Sequence, residues 1–322
     1  MLKKLLLLLL SSILILLAIA LVRTFMHVAP QPNLVEASQV QIDKKNVSNN
    51  LAASIRFKTI SHQDSKNFIK EEFNAFIKWA VATYPEFHSQ MQFEQLEYTL
   101  LYKWQGSDPS LAPILLTGHY DVVPVIPGTE ERWEQDPFAG VISNNRIWGR
   151  GALDDKSGVI GMYEAATHLI QNDFQPTRTV YFSFGHDEEI GGGGAALVAD
   201  KLKSAGIQLH WSLDEGSFVN KGFFPGVEKL VAPINVAEKG IMNLLIAAKA
   251  AGGHSSTPPK KTAVNILADA LIKLEKAPLP GSLDGLSAEM FDGVSKHMPF
   301  GYRFLFANRW LFGGLLDSLM SS

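Results

Sequence analysis

The sequence predicts an α/β fold: a sheet covered by helices on both faces, with a smaller α+β region after it. Two observations predict this. Through the middle of the chain, strand-like apolar runs alternate with segments of helical period, the pattern of a sheet packed between helix layers. Near Val236 the alternation gives way to a strand-like stretch, "NVAEKGIMNLLIAAKA", and one long helical segment, "TAVNILADALIKLEKA". That change puts a domain boundary near residue 235, separating 51–235 from 236–322. With 322 residues, 46% of them hydrophobic, the chain can bury one large core or two smaller ones.

The elements follow in order. Residues 1–25, "MLKKLLLLLLSSILILLAIALVRTF", place Lys3 and Lys4 before an apolar run broken only by Ser11 and Ser12, and Arg23 after it. A bilayer-spanning helix needs about 20 apolar residues, whereas a signal-peptide core is about 7–15. The length favours a retained signal-anchor; "AIA" at Ala18–Ala20 offers signal cleavage as the alternative. The leading lysines leave the rest of the chain outside the cytoplasm, membrane-anchored, or secreted or periplasmic after cleavage. Residues 26–50 lack periodicity and read as a tether. In "SKNFIKEEFNAFIKWAVATYP", Ile69, Phe73, Phe76, Ile77 and Ala80 share a helical face that Pro85 closes. "LEYTLLYKW" and "APILLTG" read as strands, and "FAGVISNNRIWGRG" as a hairpin turning at Asn144-Asn145. Then come helix "KSGVIGMYEAATHLIQND", strand "TRTVYFSFG", helix "GGGGAALVADKLKSAG" and strand "QLHWSLDEG".

Composition excludes several functions. The net charge is −3 and the basic residues are scattered, which argues against a nucleic-acid partner. Without cysteine there is no disulfide, thiolate metal site or thiol nucleophile. Gly191–Gly194 open a helix, but no Gly-Lys-Ser/Thr follows, so they do not form a phosphate loop. G-x-S-x-G is absent. So is H-E-x-x-H, and His186 reads as a wall residue.

The remaining signal is acidic. His119 and Asp121 follow one strand, Glu188 and Glu189 a second, Asp214 and Glu215 a third, and Asp154 and Asp155 lie between the hairpin and a helix. In open α/β sheets functional groups collect beyond the carboxyl ends of the strands. Carboxylates crowded there are costly unless cations neutralise them, and imidazole with carboxylate suits zinc, cobalt or manganese.

"LLTGHYDVVPV", "DPFAGVISNNRIWGRGALDDKSG", "FSFGHDEEIGG", "LDEGS" and "AGGHSSTPP" together resemble the M20 family of zinc peptidases and amidohydrolases, in its carboxypeptidase S and N-acyl-amino-acid hydrolase branch. The resemblance implies a zinc-exopeptidase-like sheet with an inserted lid domain that also serves in homodimers. It implies two Zn2+ ions, with Co2+ or Mn2+ as substitutes. By position it makes His119, Asp154, Glu189 and Asp214 metal ligands, Glu215 being the alternative to Asp214. It makes Asp121 the partner that orients His119, Glu188 the general base, and His254 the donor to the developing oxyanion. Asp155 falls where the family varies, solvated or capping the next helix. The implied reaction is attack by metal-bound hydroxide on an amide next to a free carboxylate, in a short peptide or N-acyl amino acid. The family's last histidine ligand has no counterpart motif here, so the sequence reads as C-terminally truncated; a catalytically inactive metal- or partner-binding fragment is the alternative reading.

Overall fold

The computed structural model describes residues 2–31, 40–238, 240, 242–277 and 283–320. Two compact units emerge, Ala37–Glu215 and Met1–Glu36 with Gly216–Ser322. The units part at Gly216, earlier than the change of pattern near residue 235.

The second unit opens with α1 (Leu2–Met26), a helix apolar on all sides. By length and composition it is the one helix among the described residues that could cross a membrane. Part of the segment read as tether, residues 32–39, lies outside the described residues; the rest runs into α2 (Lys44–Ile55), whose N-cap Asp43 accepts from the Lys45 and Asn46 amides.

Ala37–Glu215 continues with α3 (Lys70–Thr83), α4 (Pro85–Gln90), β1 (Gln92–Leu96), β2 (Thr99–Trp104), β3 (Ile114–His119), β4 (Val141–Ser143), β5 (Arg146–Trp148), α5 (Lys156–Gln171), β6 (Val180–Gly185), α6 (Gly193–Ser204) and β7 (Trp211–Leu213). Five strands form one mixed sheet in the order β1-β2-β6-β3-β7. β3 runs parallel to both β6 and β7, while β2 runs antiparallel to β1 and β6. Pleating sends alternate side chains to opposite faces. Leu100, Tyr102, Trp104, Phe182 and Phe184 pack with Phe73, Phe76 and Ala80 of α3, Phe87 of α4, and Val159, Ile160 and Tyr163 of α5. On the other face Leu101 and Tyr181 meet Val198 and Leu202 of α6. The sheet therefore has helices on both faces, as the alternating pattern predicts.

Local chemistry explains the joints. Asn144 and Asn145 adopt φ of 51° and 57°, the left-handed pair of a type I′ hairpin turn, and β4 pairs with β5 across them. "LEYTLLYKW", read as one strand, is split by a turn at Glu97 (φ 54°), and β1 pairs back on β2. α2 is tied to α5 by Lys156, fully buried, whose Nζ donates to the carbonyls of Ser54 (3.0 Å) and Phe57 (2.7 Å). Burial pushes this amine down to about 7.

The rest of the second unit holds β8 (Asn220–Lys221), β9 (Leu230–Val231), α7 (Ala263–Lys276), α8 (Gly285–Ser295), α9 (Phe300–Ala307) and α10 (Arg309–Met320). Its core is small: Phe224, Val227, Met298, Phe306 and Leu316. The strands expected within 235–250 are absent from the described residues there; Leu244 and Leu245 stand exposed. The α7 helix forms where the sequence reads as helical, capped by a Thr262–Asn265 box, and its apolar stripe has no buried residue.

Candidate active site

Four chain segments deliver the acidic residues, those following β3, β6 and β7 and the one between β5 and α5. β3 ends at His119, which is buried. Gly118 keeps this approach open, since a Cβ there would lie 2.5 Å from an Asp155 carboxylate oxygen. Asp121 is fully buried and links the turns: Oδ2 accepts from Ser61 Oγ (2.6 Å) and the Glu189 amide (3.2 Å), and Oδ1 accepts from the Glu188 amide (3.1 Å). His119 Nδ1 lies 3.1 Å from the Asp121 carbonyl and 3.3 Å from Oδ1. The Nδ1 proton belongs on that side, and Nε2 is left to face the acids.

The Nε2 atom sits 3.0 Å from Asp154 Oδ1, 3.5 Å from Glu215 Oε1 and 3.7 Å from Glu188 Oε2. Ligand atoms of His119, Asp154 and Glu215 lie within 4.8 Å of one another. Asp214 does not join this group. Its Oδ1 turns back to accept from the Glu215 amide at 2.9 Å. Successive side chains of extended backbone point opposite ways, so one acid of the pair faces His119, and here it is Glu215. Glu189 is held by its amide to Asp121, and its carboxyl feels Asp154.

Glu188 and Glu189 occupy a single 3-10 turn, Glu188–Ile190, closed by Gly191 at φ 123°. This is the bend that separate roles for adjacent acids require. Gly192 is left-handed, and Gly194 packs so closely on Thr99 that a Cβ would strike its hydroxyl. Asp187 caps α6 by accepting from the Gly194 amide (2.9 Å). Those contacts account for the glycine run. Asp155 caps α5 through the Gly158 amide (3.1 Å) and is buried, and the Asp154–Asp155 peptide is cis. His186 bonds Thr99 Oγ1 (2.7 Å) and is walled by Phe68, Phe73 and Tyr98, away from the acids gathered on His119.

The electrostatics record the crowding. Burial raises Glu215 to about 7, with His119 opposing and Asp155, Asp154 and Glu188 adding. Burial, with neighbouring acids, also raises Glu188 and Glu189. Burial alone would lower His119, but its hydrogen bond to Asp121 and the charges of Asp121, Glu215 and Glu188 carry it up to about 10. A divalent cation fits this donor set: one imidazole nitrogen and two carboxylate oxygens are the ligands zinc accepts, and its charge would offset the repulsion among the acids.

His254 belongs to the other unit. Its Nδ1 lies 2.7 Å from Ser256 Oγ and 3.3 Å from the Ser256 amide. Ser61 and Asp187 were not singled out from sequence. Ser61 carries no local signal, being 60 positions from its partner; Asp187 stands well before α6, whose N-cap is Gly192, outside the position where a capping side chain is read from sequence.

Residues 115–302, more than half of the chain, match the model of "Peptidase family M20/M25/M40". The chain belongs to this family. Among curated M20 relatives, "Probable carboxypeptidase S-like 2" of Dictyostelium discoideum is 37% identical over 84% of this chain and 53% of its own length. "N-fatty-acyl-amino acid synthase/hydrolase PM20D1" of Homo sapiens is 40% identical over 81% of this chain and 52% of its own. The chain thus spans about half the length of the relatives it matches. Among solved structures, human carnosine dipeptidase 1 shares 19% identity with a TM-score of 0.46, over 56% of this chain and 40% of that one.

Proposed function

We propose that this M20 chain serves metal-dependent hydrolysis of an amide bond next to a free carboxylate, in a short peptide or an N-acyl amino acid. The observation that carries the reading is the convergence of Asp154, Glu188 and Glu215 on one imidazole nitrogen. The names of the relatives, carboxypeptidase S-like and N-fatty-acyl-amino acid hydrolase, support the substrate class.

His119, Asp154 and Glu215 would hold one cation, and Asp154 with Glu189 would contribute to a second; zinc is the first choice, cobalt or manganese the substitutes. Bound there, such a metal polarises the scissile carbonyl and acidifies water. Asp121 keeps the His119 tautomer with Nε2 free, and through its two amide bonds sets where Glu188 and Glu189 stand. Glu188 takes the proton of the attacking water and hands it to the leaving amine; its raised pKa moves it toward the range a base needs near neutrality. His254 would donate from Nε2 to the developing oxyanion. The α1 helix acts as a membrane anchor with the catalytic unit outside the cytoplasm, or as a cleaved signal. A homodimer formed through residues 236–322 would cover the bare stripe of α7.

The test compares the zinc-loaded chain with Glu188→Gln on a dipeptide and on an N-acyl amino acid. Turnover should fall by about 10²-fold or more in the variant, with metal content unchanged. Equal turnover would remove the base assignment, and a zinc-loaded parent chain inert on both substrates would contradict the hydrolase reading.

A further inference from the structure

The last turns of α1 are fastened to the C-terminal helices by specific polar bonds. Asn308, fully buried between α9 and α10, donates from Nδ2 to the Ala20 carbonyl (3.1 Å) and lies 3.2 Å from Thr24 Oγ1. Arg23 Nε donates to the Ala307 carbonyl (3.0 Å), and His27 Nε2 pairs with Ser295 Oγ (2.9 Å). Rings continue the contact: Phe25 to Phe300 (5.9 Å), Phe300 to Phe304 (6.2 Å) and Phe304 to Phe312 (5.5 Å). On the same two helices Tyr302, Trp310, Leu311 and Leu315 are about half exposed.

Ala20 lies inside the apolar run and Arg23 ends it. If α1 spans a bilayer, Arg23 marks the headgroup level, and a residue hydrogen-bonded to the Ala20 carbonyl sits at that depth. The α9–α10 pair is fixed there by its bonds to α1. Phe, Tyr and Trp are the residues that settle at a membrane–water interface. Lipid covering exposed Phe25 of α1 would reach exposed Phe300, which its ring contacts.

We infer that α9 and α10 form an interfacial foot, docking their exposed aromatic and leucine side chains on the lipid surface next to the outer end of α1. The inference rests on reading α1 as a membrane anchor. Its occupant is the bilayer rather than a second copy of the chain, because the surface is continuous with the helix that needs lipid.

The chain has no cysteine, so single-cysteine variants carry a fluorescent probe without background. Leu311→Cys and Leu315→Cys report on the foot, Leu10→Cys on α1, and Lys273→Cys on exposed α7. Each full-length variant is labelled with bimane and reconstituted in phosphatidylcholine–phosphatidylglycerol vesicles. At positions 311 and 315 the expected result is a blue shift, quenching by a shallow nitroxide lipid and loss of iodide quenching, with position 10 quenched by a deep nitroxide and position 273 open to iodide. Iodide access at 311 and 315, with position 10 still lipid-quenched, would overturn the foot and leave the anchor. Shielding of 311 and 315 from both quenchers would mean a protein partner and overturn it as well. Iodide access at position 10 would remove the anchor reading itself.

Discussion

Asp121 is fully buried, and it holds His119 at the ring nitrogen and both Glu188 and Glu189 through their backbone amides. Its replacement should therefore disturb ligands it never replaces. Asp121→Asn is expected to weaken zinc binding by about 10–100-fold, measured by competition with a chromophoric chelator; unchanged affinity would limit Asp121 to a folding role. The neighbouring acids 214 and 215 give a sharper contrast. Glu215→Gln should cost more than about tenfold in zinc affinity, and Asp214→Asn much less, in the same titration. Equal losses would show that both acids reach the cation. The residue types were legible in the sequence: a histidine two positions before an aspartate at a strand end, and paired acids at other strand ends. Which of two adjacent acids faces inward was not, because that depends on how the chain leaves β7. Asp155 was legible as a helix cap but not as a buried carboxyl pushed up to about 6 by burial, since burial depends on Gly118 of a distant strand.

The elements that were legible had strong local chemistry. The helical stripe is buried from Phe73 to Ala80 as its spacing predicts, while Ile69, read as part of the same face, lies at the N-cap and is half exposed; the Asn-Asn turn forms its hairpin. The break at Glu97 was hidden because a glutamate at positive φ carries no glycine or asparagine signal. The apolar stretch beyond 235 resembles strand in composition, yet a strand needs a partner, and none pairs with its described residues. The glycines of 191–194 work by packing and conformation. Gly194→Ala should accordingly lower the stability of the unit by about 1–3 kcal/mol, seen as a lower urea midpoint, because the added methyl meets Thr99, which is itself bonded to His186. An unchanged midpoint would show that β2 can yield at that point.

For the whole molecule, the site couples metal to stability. His119, raised from 6.5 to about 10, stabilises the metal-free fold fully below pH 6.5 and loses that contribution as pH rises through 10. Glu215, raised from 4.5 to about 7, acts in the same sense, its contribution fading as pH rises through 7. Through these two groups the metal-free chain loses stability as pH rises from 5 to 8, while buried Lys156, lowered to about 7, works in the opposite sense above that pH. Zinc needs both groups deprotonated, so the stabilisation it adds should grow over the same range. Calorimetry of the metal-free and zinc-loaded chain would show the gap between the two melting temperatures widen with pH; a constant or narrowing gap would mean that the cation binds elsewhere.

One cation is proposed to bring His119, Asp154 and Glu215 together. Anomalous diffraction at the zinc edge, from crystals of the zinc-loaded chain, tests it most directly. A peak is expected about 2.0–2.2 Å from His119 Nε2 and from carboxylate oxygens of Asp154 and Glu215. Zinc bound at another place, with these three side chains left hydrogen-bonded to one another, would contradict it.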